Sequence, residues 1–233
     1  MKMDKKKIRI FGDSILKGVV YSEKEDRYIP IKNNGFDRLG DLLGVEFQNS
    51  AMFGCTVTKG KDLLQRAMAN GLHCDSVLLE YGGNDCDFLW DQVAADPDAS
   101  HLPKTPLEEF DLTLKHMISQ LKRVDIVPIL MTLPPIDAKR YLGHICRNGL
   151  DKNRILHWLG DIHNIERYQE LYSLRIATVA LETHTQMIDI RSGFLARKDC
   201  SSLICNDGIH PNEAGHALIM DLLADFHVMK IPA

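Results

Sequence analysis

The 233-residue sequence has no apolar run long enough to cross a bilayer; the richest one, Ile126 to Pro135, is far too short. Met1 to Lys7 is basic, but the apolar stretch behind it, Ile8 to Phe11, stops at Gly12-Asp13 and falls short of a signal-peptide core. The six cysteines, Cys55, Cys74, Cys86, Cys146, Cys200 and Cys205, include no Cys-x-x-Cys, and no Asn-x-Ser/Thr acceptor occurs. These absences predict a soluble, unexported, cytoplasmic protein with reduced thiols and no membrane partner. No long block of one charge sign exists either. With 28 basic against 32 acidic side chains and a net charge of -4, nothing resembles a nucleic-acid footprint. Repeats, low-complexity tracts and linkers are missing too, so residues 1–233 are expected to form a single domain, for which 45% hydrophobic content supplies a core.

What is present alternates. Strand-length apolar runs lie near Ile8 to Phe11, Val45 to Gln48, Ser76 to Tyr81, Asp125 to Met131 and Gln186 to Ile190, with helical patterns between them. That order predicts an α/β fold, a parallel sheet covered by helices on both faces. Leu107, Phe110, Leu114, Ile118 and Leu121 mark one buried helix stripe, and Val57, Leu64 and Met68 another. Asp151 to Glu182 reads as one long or broken helix, interrupted by Gln169. The last helix is expected to start at Pro211 and to bury Ala214, Leu218, Leu222 and Phe226. Tyr21 to Asn34 and Cys86 to Pro106 read as irregular loops bordering the crevice at the carboxyl ends of the strands.

Ser14 stands where the first strand turns into a helix, with Gly12 allowing the bend. A serine hydroxyl attacks at neutral pH only when a base takes its proton, and that base needs an orienting partner. His210 is the natural base, and Asp207, three residues earlier, can reach its Nδ1. Acyl transfer also needs donors for a developing oxyanion. The Ser14 N–H, the Gly54 N–H after the second strand and the Asn84 amide after the third are the candidates.

Gly12-Asp13-Ser14, Gly54, Gly83-Asn84-Asp85 and Asp207-x-x-His210 occur in this order across nearly the whole chain. In these blocks the sequence resembles the SGNH hydrolases, the GDSL esterase/lipase superfamily. The resemblance implies a three-layer α/β/α sandwich, flavodoxin-like, with about five parallel strands. It implies Ser14 as nucleophile, His210 as base, Asp207 as its orienter, and Gly54 and Asn84 as oxyanion donors. No metal and no organic cofactor are implied. The serine block continues Ser14-Ile15-Leu16 where many members have Ser-Leu, a departure without consequence for the chemistry.

Each block has a plainer reading. Ser14 could cap the first helix, Asp207 the last one, and Gly83-Asn84 could be turn residues. Asp13 and Asp85 read as loop-fixing carboxylates, with Asp13 also a candidate substrate contact. Gly54 to Asp62 imitates a phosphate-binding loop, but five residues separate its glycines and Asp62 stands where Ser or Thr is needed. The other histidines show no metal-ligand spacing. Cys55 and Cys86 read as small buried packing residues. Phe88 and Trp90 are candidates either for an apolar substrate wall or for anchoring their loop, with Arg140 and Tyr141 as further contacts.

The sequence therefore predicts a serine esterase whose partner is a small-molecule ester, with a short acyl group on a sugar or other small alcohol as the expected substrate. The alternatives are an acyltransferase, thioesterase or lysophospholipase on the same triad, or a binding module that has lost catalysis. Oligomeric state is left open.

Overall fold

The computed structural model describes residues 5–32 and 34–230. Strand β1 (Lys6–Gly12) runs into the one-turn helix α1 (Ser14–Lys17), followed by an antiparallel hairpin of β2 (Val19–Ser22) and β3 (Arg27–Pro30). Helix α2 (Phe36–Leu43), β4 (Val45–Asn49), α3 (Val57–Ala69) and β5 (Ser76–Glu80) come next. After α4 (Trp90–Ala95), α5 (Leu107–Lys122) leads into β6 (Val127–Met131). Helices α6 (Ala138–Cys146), α7 (Lys152–Leu159) and α8 (Asn164–Glu182) precede β7 (Gln186–Ile188), α9 (Ile190–Leu195) and α10 (Glu213–Lys230).

The five strands predicted from the sequence form one parallel sheet in the order β4-β1-β5-β6-β7. This is the flavodoxin-like order, and the strand order reverses between β1 and β5, the place where open sheets hold their ligands. In the register Gly12 lies opposite Glu80, so the two central strands end level with each other.

Side chains alternate across the sheet, so each strand feeds two cores. Phe11, Val77 and Leu79 pack against α3, α5 and α8 on one face, while Ile10, Leu78 and Ile188 pack against α2, α9 and α10 on the other. A third cluster lies apart from both. Phe88, Trp90, Val93, Ala138, Leu142, Ile155 and Leu159 join α4, α6 and α7 into a cap. Among the described residues no helix is long and apolar enough to cross a membrane. All six cysteines are free thiols.

Five local expectations need correction. Cys86 to Pro106, expected to be irregular, contains the helix α4, whose Trp90, Val93 and Ala94 are buried in the cap. Tyr21 to Asn34 is largely ordered hairpin, because Val19 to Ser22 pairs with Arg27 to Pro30 across a tight charged turn. The 151–182 segment breaks at Gly160, whose N–H closes α7 on the Leu156 carbonyl, and not at Gln169. Gln169 stays inside α8 because its amide has a buried acceptor, donating to the Pro134 carbonyl at 2.7 Å. The last helix begins at Glu213 and not at Pro211, since the Asn212 side chain accepts the Gly215 N–H and takes the capping position. Its buried face is shifted accordingly: Leu218, Ile219 and Leu223 are inside, Leu222 and Phe226 are partly buried, and Ala214 is exposed.

Candidate active site

Three chain segments meet where β1 and β5 end. Asp13, the last residue before α1, caps that helix by accepting the Ile15 N–H at 2.8 Å. The Ser14 hydroxyl is therefore not the cap. Its Oγ lies 2.8 Å from His210 Nε2. On the far side of the imidazole, Nδ1 is 2.5 Å from Asp207 Oδ2. All three side chains are at most 5% exposed.

The loop that carries His210 is shaped by Asp207 itself. Its Oδ1 accepts the N–H groups of Ile209 and His210, each at 3.2 Å, so one carboxylate folds the turn and orients the ring. Burial pulls the Asp207 carboxyl upward, but the hydrogen bond and charge of His210 together with those two N–H groups outweigh it and hold the group below its ordinary value. The same carboxylate holds the imidazole by its Nδ1, leaving Nε2 turned toward Ser14. The ring is held from outside by Tyr28, 4.9 Å away between centroids, and by Phe53, stacked at 6.2 Å.

The expected oxyanion donors have different surroundings. The N–H groups of Ser14 and Gly54 have no acceptor among the described residues. Gly54 has φ +66, in the left-handed region, with open space where a Cβ would stand, and it follows directly on Phe53 at the cavity mouth. Asn84 faces the cavity but is tethered: its Nδ2 donates to Asp13 Oδ2 at 2.8 Å, with a long 3.4 Å contact to the Cys55 carbonyl. Asp85, fully buried, accepts the Val57 N–H at 2.9 Å and so pins the start of α3. Burial raises its carboxyl to about 6.

Gly12 serves a purpose other than a bend. A Cβ there would sit 3.0 Å from Glu80 Oε2 and 3.1 Å from the Glu80 carbonyl oxygen, so glycine suits the close packing of β1 on β5.

A cavity of about 130 Å³ opens from Ser14 and His210 toward the cap. Leu133, Pro134, Ile136, Ile165 and Ile209 line it with Phe88, Trp90 and Tyr168. Phe88 and Trp90 thus do both things weighed for them, forming cavity wall and anchoring their loop in the cap, where Phe88 meets Trp158 edge-on at 4.8 Å. Tyr141 is also at the cavity, donating to Asp87 Oδ1 at 2.7 Å, while Arg140 is spent on the carbonyls of Ser201 and Ile204. Burial drives Cys55 up to about 11 and Cys86 well above its ordinary value, so both behave as packing residues.

Sequence reasoning missed Tyr28, Phe53 and Tyr168. The signal for Tyr28 was readable: Val19 to Ser22 and Arg27 to Pro30 flank a short polar turn in the manner of a hairpin. Nothing local marks Phe53 or Tyr168.

The fold recurs in solved structures. A lipase/acylhydrolase from Enterococcus faecalis superposes with a TM-score of 0.65 at 20% identity over 98% of both chains. An acetylxylan esterase from Geobacillus stearothermophilus gives 0.63 at 19% identity, covering 97% of this chain and 96% of that one. A bovine (Bos taurus) relative, the isoamyl acetate-hydrolyzing esterase 1 homolog, is 25% identical over 225 residues, 93% of this chain and 79% of the relative. The model of one hydrolase family matches residues 10–218, and the chain belongs to that family, the GDSL-like Lipase/Acylhydrolase family.

Proposed function

We propose that the protein hydrolyses carboxylic esters through an acyl-enzyme on Ser14. The observation that carries this reading is the buried relay from Ser14 Oγ through His210 to Asp207, with spacings of 2.8 and 2.5 Å. As Ser14 Oγ bonds to the ester carbonyl carbon, its proton passes to His210 Nε2 and the carbonyl electron pair moves onto oxygen. That oxygen is received by the N–H groups of Ser14 and Gly54 and the Asn84 amide. Collapse breaks the bond to the alcohol oxygen, which leaves with the proton from Nε2. Water, deprotonated by the same nitrogen, then attacks the acyl carbon, and release of the acid returns the proton to Ser14. Asp207 stays ionised throughout and stabilises the imidazolium.

Short acyl esters of small alcohols are the substrate class this reading favours, in keeping with relatives whose names specify isoamyl acetate and acetylxylan. The cavity wall refines the choice toward an apolar group. Two of its polar side chains are already committed: Asp87 to Lys104, Trp90 and Tyr141, and Gln169 to Pro134 and Arg191. A sugar placed there would leave most of its hydroxyls against apolar side chains, which costs more than apolar contact returns. We also take residues 1–233 as one catalytic domain, since α8 lends Ile165 to the cap and Tyr172 and Ile176 to the main core. A cytoplasmic site of action belongs to the same reading, supported by six free thiols.

The test is a chain-length series of nitrophenyl esters beside acetylated sugars, run with wild type and Ser14→Ala. Hydrolysis of the apolar esters and fluorophosphonate labelling at Ser14, both lost in Ser14→Ala, are the expected results. Turnover by Ser14→Ala equal to wild type overturns the mechanism, and preference for acetylated sugars overturns the apolar assignment.

A further inference from the structure

Beneath the nucleophile lies a buried acid that the mechanism above does not use. The register of β1 on β5 sets Glu80 against Gly12, and this brings three carboxyl groups into the floor of the site. Glu80, Asp13 and Asp85 are each at most 1% exposed. Among the described residues no lysine or arginine pairs with any of them, and no group of three or more such side chains is arranged to hold a metal ion. A proton is the remaining counter-charge.

The three acids are not equally provided with donors. Asp13 accepts the Ile15 N–H and the Asn84 amide, both at 2.8 Å. Asp85 accepts the Val57 N–H with both oxygens, at 2.9 and 3.2 Å. Glu80 receives one N–H, that of Asp13 at 3.2 Å on Oε2, and no donor faces Oε1. Neighbouring carboxyls in a dry pocket do not both ionise, and the proton stays on the one whose anion is least stabilised. Burial, and after it the charge of Asp13, push the Glu80 carboxyl well above its ordinary value.

We propose that Glu80 is a positioning residue of the oxyanion site: as a neutral acid it donates to the Asp13 carboxylate, which in turn holds Asn84 and the Ser14 turn in place. This rests on the reading of Ser14 as nucleophile and Asn84 as oxyanion donor. Glu80 touches no substrate and acts only through Asp13. Gly12 is part of the arrangement, since any side chain there would meet Glu80 Oε2.

The proton also makes the site pH-sensitive. Facing Glu80 are Asp13, Asp85, Tyr81 and Cys55; burial keeps the last two in their neutral forms, and His210 reaches the pair as a charge felt by Asp13. Loss of the Glu80 proton as pH rises toward its raised folded-state value places a second anion against Asp13. Asn84 is then released from alignment and the developing oxyanion faces negative charge.

The test is the pH profile of kcat and KM on nitrophenyl acetate for wild type, Glu80→Gln and Glu80→Leu. Leucine removes donor and acceptor, and kcat is expected to fall about ten- to hundredfold with KM nearly unchanged. Glutamine keeps both and cannot lose a proton, so it rescues kcat to within about threefold and lacks the wild-type decline as pH rises. Stability gives a second readout that survives a misfolded leucine variant. The folded-state value is raised, so stability linked to Glu80 is complete below its ordinary 4.5 and is lost as pH rises toward the folded value. Urea midpoints of Glu80→Gln relative to wild type are therefore expected to climb above pH 4.5. A decline with rising pH shared by Glu80→Gln, wild-type kcat in Glu80→Leu, or a flat midpoint difference overturns the proposal. Fluorophosphonate labelling at Ser14 separates it from the reading it rests on: with wild type labelled, those results condemn the role of Glu80 alone, whereas an unlabelled wild type condemns the nucleophile itself.

Discussion

The end of the sheet and the cap above it are held together by different forces. At the sheet end, Asp13, Glu80, Asp85, Asp207, Ser14 and His210 are all buried, and short directional bonds between loops fix each in place. In the cap such bonds gather at Asp87, which accepts from Trp90, Lys104 and Tyr141, while the interior is ring packing. Phe88 and Trp90 are buried there against the partly buried Trp158 and Tyr168, in largely edge-to-face ring contacts 4.8 to 6.3 Å apart. Hydrogen bonds weaken steeply with angle and distance, whereas apolar contact is non-directional. The sheet end is thus built to hold atoms at reacting distance, and the cap to set the size and polarity of a cavity. Substitutions in the first should change rate, and in the second, stability and preference.

The largest effect expected from this division is at Ser14. Replacement by alanine should lower hydrolysis of nitrophenyl acetate by about three to six orders of magnitude while leaving the fold intact by circular dichroism. Next comes Asn84→Ala, which should reduce kcat by about 10²-fold or more with little change in KM, because its amide matters most when the oxyanion forms. A large KM effect with kcat preserved would instead make Asn84 a ground-state contact.

Phe88→Ala probes the other side of the comparison. Denaturant titration should show a loss of about 3 kcal/mol from the cavity left in the cap, accompanied by a changed chain-length preference. If its kcat on the acetate fell as far as that of Asn84→Ala, the separation of rate from shape would be broken. The smallest effect is expected at His216, buried with Nε2 3.1 Å from the Val19 carbonyl and pushed down to about 4 by burial. Its lowered value gives stability that is present above its ordinary 6.5 and is lost as pH falls toward about 4. His216→Gln should remove on the order of 2 kcal/mol of that pH dependence, measured as denaturation midpoints across the window, without altering kcat. An unchanged pH dependence would show that His216 is not the titrating group.

The two regions also differed in how far they could be read from residues alone. Ser14, Gly54 and Asn84 lie in short blocks after predicted strands, and Asp207 and His210 in a block before the last helix, so residue type and order were enough to make them candidates. Glu80 ends an ordinary apolar strand run and gains meaning only from its register with Gly12. Tyr28, Phe53 and Tyr168 come from three distant segments that share a surface only after folding. The expected helix start at Pro211 failed for a local reason of the same kind: Asn212 had the better capping bond, and Pro211 instead bridges to Ile204.

Alternation of apolar strands and amphipathic helices was sufficient to determine the layered fold, because period and order in sequence dictate which faces must be covered. The candidate site residues could likewise be picked out in the sequence, since the chemistry they offer is intrinsic to residue type. Only the tertiary structure decided that Asp13 caps α1 and leaves the Ser14 hydroxyl to His210, that Asn84 is tethered to Asp13, and that an uncompensated Glu80 lies beneath them. These depend on distances of a few ångströms between segments up to 196 residues apart, and on the exclusion of water that makes each bond count.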